Sequence, residues 1–370
     1  TKPDGMRANV TIMIPVSDRG RGKLAVVAKS MRAAYLVEPG RVEIREVPVP
    51  VPAEGQVLLR IERALVGGTD RKAFLRGHPK IPMPGPLGHR YVGTVAALGP
   101  NAPRLEIGQP VMGVHSAPCL VCPLCLRGRH NLCPYVMREK ALGAFGEYLL
   151  VPALVAQQNL FARPATLPIE QAALLEPVAC IVHALESIQW TGVERVLILG
   201  LGAVGLLFGQ LLPLYTRAER VAAGRRRERV LLARGWGLHP VYDLTDTPLS
   251  DQLPRDQQFD VVLECTGKME GWHEAMLRTA PGGQVLLFGG LPRGTEFPVD
   301  TYRLHYEEVT LRGSFHFAPR DVILARDYLL QGAIDPTGLI SGTYPLCQTA
   351  EALERLVAGD GVQYAIDPSA

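Results

Sequence analysis

A glycine-rich turn at residues 200–205 constrains the fold of this chain more than any other feature. It follows a continuous apolar run at residues 196–199 and opens an apolar segment at 206–212 that is predicted to be helical. Between a strand and a helix, the first glycine makes the tight turn, the second admits a pyrophosphate, and the third lets helix and strand pack closely. The pattern therefore predicts a dinucleotide site. Its predicted contacts are Gly200, Gly202, Ala203, Val204 and Gly205.

The end of the next predicted strand, at residues 220–223, indicates which dinucleotide is bound. An acidic residue about twenty positions beyond the glycines would hold the ribose 2′-hydroxyl of NAD. Here Gly224 is followed by Arg225, Arg226 and Arg227, with no carboxylate at that point. Arginine offers bidentate, charge-assisted hydrogen bonds to phosphate, so the sequence predicts NADP(H). The alternative is that the three arginines form a solvated helix start. Thr266 and Gly289, at the ends of later strands, complete the predicted cofactor set.

Strand and helix signals divide the chain into two predicted domains. From Met31 to about residue 151, short β-rich runs alternate with Pro and Gly turns, as in an all-β barrel. Helical spacing follows over residues 167–188. Beyond it, predicted strands alternate with helices, which favours a doubly wound parallel sheet and an α/β fold class. These strands are predicted at 195–199, 220–223, 259–264, 284–288 and 310–313.

Composition excludes several classes of protein. The chain has 370 residues, 47% hydrophobic and 20% charged, so it can bury a core and is not disordered. The charge balance of 39 − 36 = +3 is too small to argue for a nucleic-acid partner. No apolar run approaches the roughly 18 residues that span a bilayer. We therefore expect neither a nucleic-acid nor a membrane partner, and a small-molecule substrate instead.

Four of the seven cysteines lie close together, at Cys119, Cys122, Cys125 and Cys133. Four thiolates at this spacing can close a tetrahedral shell around Zn²⁺ with no open position, which is typical of a structural site. The clustering indicates a reducing compartment, so a cytoplasmic location is predicted. The other three, Cys180, Cys265 and Cys347, stand alone in apolar settings and are predicted to be core residues.

From about Met31 to the C-terminus, the chain resembles the medium-chain dehydrogenase/reductase superfamily, within it the zinc-containing alcohol, sorbitol and threonine dehydrogenase group. The motifs are Gly68-Thr69-Asp70, Gly88-His89, the cysteine lobe ending Gly128-x2-Asn131-x-Cys133, Glu176-Pro177 followed by His183-Ala184, and the glycine turn. The resemblance implies a GroES-like β-barrel catalytic domain, an inserted Rossmann domain, a tail that rejoins the first domain, and a homo-oligomer, dimer or tetramer. The predicted boundaries are 1–30 (N-terminal extension), 31–186 with 334–370 (catalytic domain, zinc lobe at about 115–135) and 187–333 (Rossmann domain). The extension is predicted to be unstructured, with an added edge strand or an oligomer contact as the alternative.

The sequence departs from this family at its catalytic zinc. The family holds that ion with a cysteine just before the Gly-Thr-Asp run, the histidine of a Gly-His-Glu motif, and a group near Glu-Pro. Here the cysteine position is Gly67 and the glutamate after His89 is Arg90, a permanent cation. Only His89 and Glu176 remain, one short of the usual three protein ligands. The sequence therefore predicts that the catalytic zinc is missing.

Five residues are predicted to act at this site. In the family, the residue at the position of Thr69 contacts the substrate oxygen and starts a proton relay. The residue at the position of Asp70 orients the ligand histidine. From its own chemistry, His89 can act as acid or base, and Arg90 can offer fixed positive charge to an oxyanion. Glu176 can pair with Arg90 and hold the pocket shape. The alternative for each is a satisfied polar residue in a degenerate pocket.

The function predicted is an NADP(H)-dependent oxidoreductase that transfers hydride to or from a small-molecule carbonyl, alcohol or activated double bond without a catalytic zinc. One alternative is a zinc-dependent alcohol or polyol dehydrogenase that uses a residual site at His89 and Glu176. Another is an inactive protein that binds NADP(H) as a sensor or assembly partner. The retained Thr69 and the intact glycine turn favour an enzyme.

Overall fold

A computed structural model describes residues 11–15, 24–79 and 81–370, which form two compact units. The first unit extends to Glu176 and resumes at Ile340, and the second is Pro177–Leu339. The sequence predicts these boundaries at residues 186 and 334. A continuous helix, Leu175–Leu185, runs through the first boundary, and its apolar spacing continues across that point without a break.

The first unit begins with strands and short helices. The strands are β1 Thr11–Pro15, β2 Leu24–Ala28, β3 Ser30–Glu38, β4 Arg41–Pro48, β5 Val57–Val66, β6 Gly85–Pro86, β7 Tyr91–Leu98, β8 Pro110–Gly113, β9 Tyr148–Val151 and β10 Leu160–Ala162. The helices are α1 Gly68–Arg76, α2 Pro123–Leu126, α3 Tyr135–Arg138, α4 Ala153–Asn159 and α5 Ile169–Ala172. Strands β1 and β2 pair antiparallel as a separate two-stranded sheet, where the sequence predicts an unstructured extension. Residues 1–10 and 16–23 of that extension lie outside the described residues.

The second unit alternates strands and helices. Its elements are α6 Leu175–Leu185, β11 Arg195–Leu199, α7 Ala203–Leu211, β12 Glu219–Gly224, α8 Arg227–Gly235, β13 Val241–Asp243, α9 Leu249–Gln252, β14 Phe259–Glu264, α10 Met269–Arg278, β15 Thr279–Leu287, α11 Thr301–His305, β16 Thr310–Gly313 and α12 Pro319–Leu330. The six strands are parallel in the order β13-β12-β11-β14-β15-β16. This is the order of a doubly wound dinucleotide-binding fold, so the predicted fold class is confirmed. No helix in the described ranges is long and apolar enough to cross a membrane.

The tail returns to the first unit. Its elements are β17 Ile340–Pro345, α13 Thr349–Ala358 and β18 Gln363–Asp367. Strand β18 pairs with β5, so the main sheet runs β10-β8-β7-β5-β18-β17, with β9 also on β5. A second sheet, β4-β3-β6, completes the barrel-like unit. Its core is formed by apolar side chains of these strands, such as the fully buried Leu36 and Leu59, and of the segments between them, such as Phe145.

Candidate active site, cofactor turn and cysteine cluster

The glycine turn has the geometry that its sequence predicts. Gly200 directly follows β11 and has φ +100°, a left-handed conformation that favours glycine. A Cβ on Gly205 would overlap the carbonyl oxygen of Gly200, so the close approach of α7 to the turn requires a glycine there. Gly202 caps α7, and a Cβ on it would meet nothing within 4 Å. Ala203 and Val204 follow in the first turn of α7, half-buried. The helix N-terminus is thus accessible to an anionic ligand.

The arginine run lies at the end of β12, where it starts α8. A Cβ on Gly224 would lie 2.6 Å from Cβ of Leu201, so this position admits no side chain. Arg225, Arg226 and Arg227 are all exposed. Arg226 caps α8 with φ +78°, an uncommon conformation for a residue that is not glycine.

The structure brings a carboxylate to this strand end that sequence reasoning missed. Asp243, the last residue of β13, lies opposite Gly224 in the parallel register. Its Oδ1 accepts hydrogen bonds from the backbone N–H (3.0 Å) and hydroxyl (2.6 Å) of Thr245, which lower its pKa. The same hydroxyl oxygen accepts the N–H of Arg226 at 3.2 Å. Asp243 is therefore engaged in fixing the arginine loop. A neighbouring cavity of about 390 Å³ is lined in part by Arg227, Asp243 and Thr245.

The other two predicted cofactor residues, Thr266 and Gly289, are both hydrogen-bonded to Glu264, which the sequence did not single out. The backbone carbonyl oxygen of Glu264 accepts the N–H of Gly289 at 3.1 Å. The Thr266 hydroxyl donates to the buried Glu264 carboxylate. The Thr266 methyl would lie 2.9 Å from a Cβ on Gly200, so Thr266 borders the glycine turn through its methyl group. The carbonyl of Gly289 accepts a hydrogen bond from Nε1 of Trp272 at 3.0 Å.

In the first unit, Gly67 and Arg90 fit each other. Gly67 caps α1, and a Cβ placed on it would lie 2.7 Å from Cζ and 2.8 Å from Nη1 of Arg90. The guanidinium therefore fills the space that any side chain at position 67 would need. The sequence shows two separate departures from the family, a ligand lost at Gly67 and a cation gained at Arg90. In the structure they are coupled, because one side chain fills the space that the other has left.

His89 is oriented by Asp70. Nδ1 of His89 lies 3.3 Å from Oδ1 of Asp70, whose Oδ2 accepts the N–H of Gly67 at 2.8 Å. Burial alone would lower the pKa of His89, but the charge and hydrogen bond of Asp70 outweigh it and raise that pKa. For Asp70, burial acts to raise the pKa, and His89 and the Gly67 N–H reverse this, so its pKa is lowered. The pair therefore favours the charged form of both groups.

Glu176 lies among three basic side chains. Its Oε2 accepts the Nε of Arg90 at 2.7 Å, and its Oε1 is 4.0 Å from Nε2 of His89 and 3.8 Å from Nδ1 of His115. The His89 and His115 rings meet edge to face, with centroids 5.1 Å apart. Sequence reasoning missed His115, which stands just past β8 with no motif around it. Thr69, half-buried, lies in the first turn of α1.

This cluster does not fit the catalytic zinc that the family resemblance implies. Gly67 has no ligand atom, and Arg90 holds a permanent cation against the Glu176 carboxylate. Within the part of the chain that the structure describes, only the cysteine group brings three or more His, Cys, Asp or Glu ligand atoms within 4.8 Å of one another. His89, His115 and Glu176 converge but are spaced more widely. As arranged, they do not form a zinc site.

The four clustered cysteines fit a structural zinc. Their sulfur atoms all lie within 4.8 Å of one another, with Cys122 and Cys133 3.8 Å apart and Cys133 and Cys119 3.6 Å apart. A tetrahedral site with Zn–S of about 2.3 Å has edges of roughly 3.8 Å. The pKa of Cys119 is lowered to about 7, and the hydrogen bond from the backbone N–H of Val121 makes the largest contribution. Burial, first among several causes, raises the pKa of Cys125 to about 12, so the fit to the ion is carried by the sulfur positions.

The prediction that the three isolated cysteines are core residues is wrong for Cys347. That residue is exposed, because Leu346 takes the buried position in the same short turn. Cys180 and Cys265 are half-buried by residue, and burial of the thiol raises the pKa of Cys265.

Comparison with known proteins gives consistent matches. The alcohol dehydrogenase GroES-like domain matches residues 53–159, and the zinc-binding dehydrogenase family matches residues 203–329. The L-threonine 3-dehydrogenase of Mesorhizobium japonicum is 29% identical over 339 residues, covering 89% of this chain and 96% of that protein. The sorbitol dehydrogenase of Bacillus subtilis is 25% identical over 341 residues, covering 89% and 94%. A crystal structure from Sinorhizobium meliloti 1021, assigned as a zinc-binding dehydrogenase and bound to NADP, has a TM-score of 0.81 at 28% identity, covering 92% of this chain and 99% of that one.

Fold and matches together define an alcohol dehydrogenase-like oxidoreductase. The chain belongs to the medium-chain dehydrogenase/reductase superfamily, in its zinc-containing alcohol dehydrogenase group. The resemblance inferred from the motifs is thereby confirmed.

Proposed function

We propose that this protein is an NADP(H)-dependent oxidoreductase that transfers hydride to or from a small-molecule carbonyl or alcohol without a catalytic zinc. The observation that carries the proposal is the position of Arg90. Its guanidinium fills the space beside Gly67, and its Nε is bound to Glu176. This arrangement supports a mechanism in which the fixed charge of Arg90 takes the role of the metal ion.

The choice of NADP(H) is supported by Arg225 and Arg226, which are exposed directly after Gly224. Their guanidinium groups would hold the 2′-phosphate through charge-assisted hydrogen bonds. The solved relative bound to NADP is consistent with this choice. When bound, the cofactor supplies or accepts the hydride. The Asp243 carboxylate, the acidic group at the neighbouring strand end, accepts the N–H and hydroxyl of Thr245.

The proton chemistry is assigned to the first unit. As a carbonyl is reduced, negative charge develops on its oxygen, and Arg90 supplies fixed positive charge there. Glu176 holds Nε of Arg90 and so fixes the plane of the guanidinium. Thr69 offers its hydroxyl to the substrate oxygen, and His89, oriented by Asp70, supplies the proton. In the oxidation direction the same groups remove the proton from the alcohol.

The cysteine lobe is assigned a structural zinc. Cys119, Cys122, Cys125 and Cys133 would hold the ion in a closed shell, which stabilises a segment whose own apolar core is small. All seven cysteines lie in the described residues and none is in a disulfide, which supports a reducing compartment and a cytoplasmic location. A homo-oligomer, dimer or tetramer, is proposed on the family resemblance alone.

One observation favours the alternative, a zinc-dependent alcohol or polyol dehydrogenase. The sequence offers only two ligands for that ion, His89 and Glu176, and the structure brings His115 beside them. Movement of Arg90 away from Glu176 would leave two histidines and a glutamate, a ligand set that catalytic zinc sites use. The position of Arg90 therefore decides between the two mechanisms.

The test combines turnover with metal analysis. The purified protein is assayed for NADPH oxidation against a panel of aldehydes and ketones, and its zinc is counted per chain. We expect turnover with one zinc per chain. Two zincs, one of them lost in His89→Ala, would establish the alternative. Tight NADPH binding without turnover on any member of the panel would instead support a binding protein.

A further inference from the structure

A buried carboxylate, Glu264, lies at the end of β14 beside the predicted cofactor residues. It is 0% exposed. Its Oε1 accepts the backbone N–H of Thr266 at 2.7 Å, the Thr266 hydroxyl, and the N–H of Gly267 at 3.1 Å. Its own carbonyl oxygen accepts the N–H of Phe288 at 3.0 Å and of Gly289 at 3.1 Å. One residue thus binds both loops that follow β14 and β15.

The partners of this carboxylate are neutral N–H and O–H groups. Burial acts first and raises the pKa of Glu264, and the donors of Thr266, Gly267 and Gly289 act against it. A buried carboxylate without a cation is costly and persists only if its hydrogen bonds are made. The free-energy cost of burying Glu264 indicates that the geometry of the loops bound to it serves function as well as stability.

Glycines enclose the carboxylate. A Cβ on Gly271 of α10 would lie 2.6 Å from its Oε1, and one on Gly289 would lie 2.7 Å from its Oε2. A Cβ on Gly289 would also overlap the N–H nitrogen of Gly267. The two loops are therefore packed backbone to backbone over the carboxylate, and a small displacement of Glu264 would move both.

The sheet order gives these loops a specific half of the site. In a doubly wound sheet the dinucleotide lies across the carboxyl ends of the strands, one mononucleotide on each half. Arg225 and Arg226 follow β12, on one side of the central strand β11. On the other side of β11, Glu264 is the last residue of β14 and Gly289 follows β15. The adenosine and nicotinamide halves of a cofactor would thus depend on different residues.

Resting on the proposed function, we infer that Glu264 is a positioning residue for the nicotinamide half of NADP(H). It acts through the backbone of Thr266, Gly267 and Gly289 and does not contact the adenosine half.

The experiment compares two ligands by calorimetry on the full chain: NADPH, and 2′,5′-ADP, which carries only the adenosine half with its phosphate. In Glu264→Gln, Oε1 can keep its bonds to Thr266 and Gly267, but an N–H₂ replaces Oε2, which the N–H of Gly267 approaches at 3.4 Å. Two donors then face each other in a buried space, so the loop is displaced and the NADPH Kd is expected to rise by roughly tenfold to a hundredfold. The Kd of 2′,5′-ADP is expected to change by less than about twofold, within ordinary surface-mutation effects. Thr266→Val, which removes only the hydroxyl donor, should move NADPH in the same direction by less.

Asp260→Asn is the matched control. Asp260 lies on the same strand, and its Oδ2 accepts two backbone N–H groups, those of Glu194 and Arg195, both at 2.8 Å. This variant should lower thermal stability and leave both Kd values unchanged. The inference is overturned if Glu264→Gln binds NADPH as tightly as the unaltered protein, or if it binds NADPH and 2′,5′-ADP with equally weakened affinity. If Glu264→Gln does not fold, the same two criteria are applied to Thr266→Val. Failure of the unaltered protein to bind either ligand would overturn the proposed function instead.

Discussion

The Nε of Arg90 donates to Oε2 of Glu176 at 2.7 Å, and the two side chains are only 9% and 7% exposed. A buried ion pair offsets the desolvation of its members, whereas removing one partner costs about 3–5 kcal/mol because the other is left buried and uncompensated. Glu176 is therefore committed to a protein cation. This pairing, together with the missing ligand at position 67, supports the zinc-free mechanism that we propose.

Placing a cysteine at position 67 should not change the metal content while Arg90 is present. In Gly67→Cys alone, the new side chain meets the guanidinium, since a Cβ there lies 2.7 Å from Cζ of Arg90. We expect one zinc per chain in the unaltered protein and in this variant, and a content approaching two in Gly67→Cys with Arg90→Glu. Zinc is counted by mass spectrometry. A second zinc in the unaltered protein would contradict the assignment of Arg90.

NADPH should bind at least roughly tenfold more tightly than NADH, because each arginine bond to the 2′-phosphate is worth about 1.5–3 kcal/mol. Arg225→Ala and Arg226→Ala should each reduce this ratio, mostly through weaker NADPH binding. Arg255→Ala, at another exposed arginine of the same unit, serves as control. Calorimetry measures the NADPH and NADH dissociation constants of all four proteins, and equal affinities in the unaltered protein would rule out the 2′-phosphate role.

Turnover should depend on Thr69 and His89. Thr69→Val and His89→Ala are each expected to lower kcat by about 10²–10⁴ while NADPH affinity stays nearly constant, because the proton chemistry is lost and the cofactor unit is untouched. Thr69→Ser keeps the hydroxyl and should restore most of the rate. The measurement is steady-state kinetics with the best carbonyl of the panel. Full activity in both variants would place catalysis on other groups.

The contribution of His89 to stability should fall as pH rises. Its folded pKa is raised above the unfolded value of about 6.5, so its stabilisation is fully present below about pH 6.5 and is lost as pH passes through the folded pKa. His89→Gln should therefore destabilise more at about pH 6 than at about pH 9. Asp70, whose pKa is lowered, contributes above its unfolded value and loses this as pH falls. Urea unfolding at both pH values checks the sign, which a pH-independent difference would refute.

Loss of a zinc ligand should affect folding more than chemistry. Cys122→Ser opens the closed thiolate shell and is expected to lower Tm and solubility, with a smaller change in kcat of the soluble fraction. Cys347→Ser, at the exposed isolated cysteine, is the control and should behave as the unaltered protein. A normal Tm and a full zinc content in Cys122→Ser would remove Cys122 from the site.

Local motifs were enough to predict the glycine turn, the cysteine group and the parallel sheet, because each is specified by residues close together in the chain. Strands such as β11 and β14 have the bounds that their apolar runs predict. His115, Asp243 and Glu264 could not be found this way. Each acts through a neighbour supplied by tertiary packing or by a loop turn, and nothing in their spacing distinguishes them from ordinary polar residues. The fit of Arg90 to Gly67 likewise needs coordinates.

The overlap between a side chain at position 67 and the guanidinium of Arg90 also sets an order for evolutionary change. Gaining the arginine while a side chain still stood at 67 would displace a buried cation, which costs several kcal/mol. If the side chain at position 67 is lost first, the result is a cavity no larger than a thiol group, which destabilises the fold less than a displaced buried cation does. Once both changes are made, neither position can revert alone without a clash or an empty buried space. Reversal of either substitution alone is therefore unfavourable, and descendants that keep Arg90 are expected to keep Gly67.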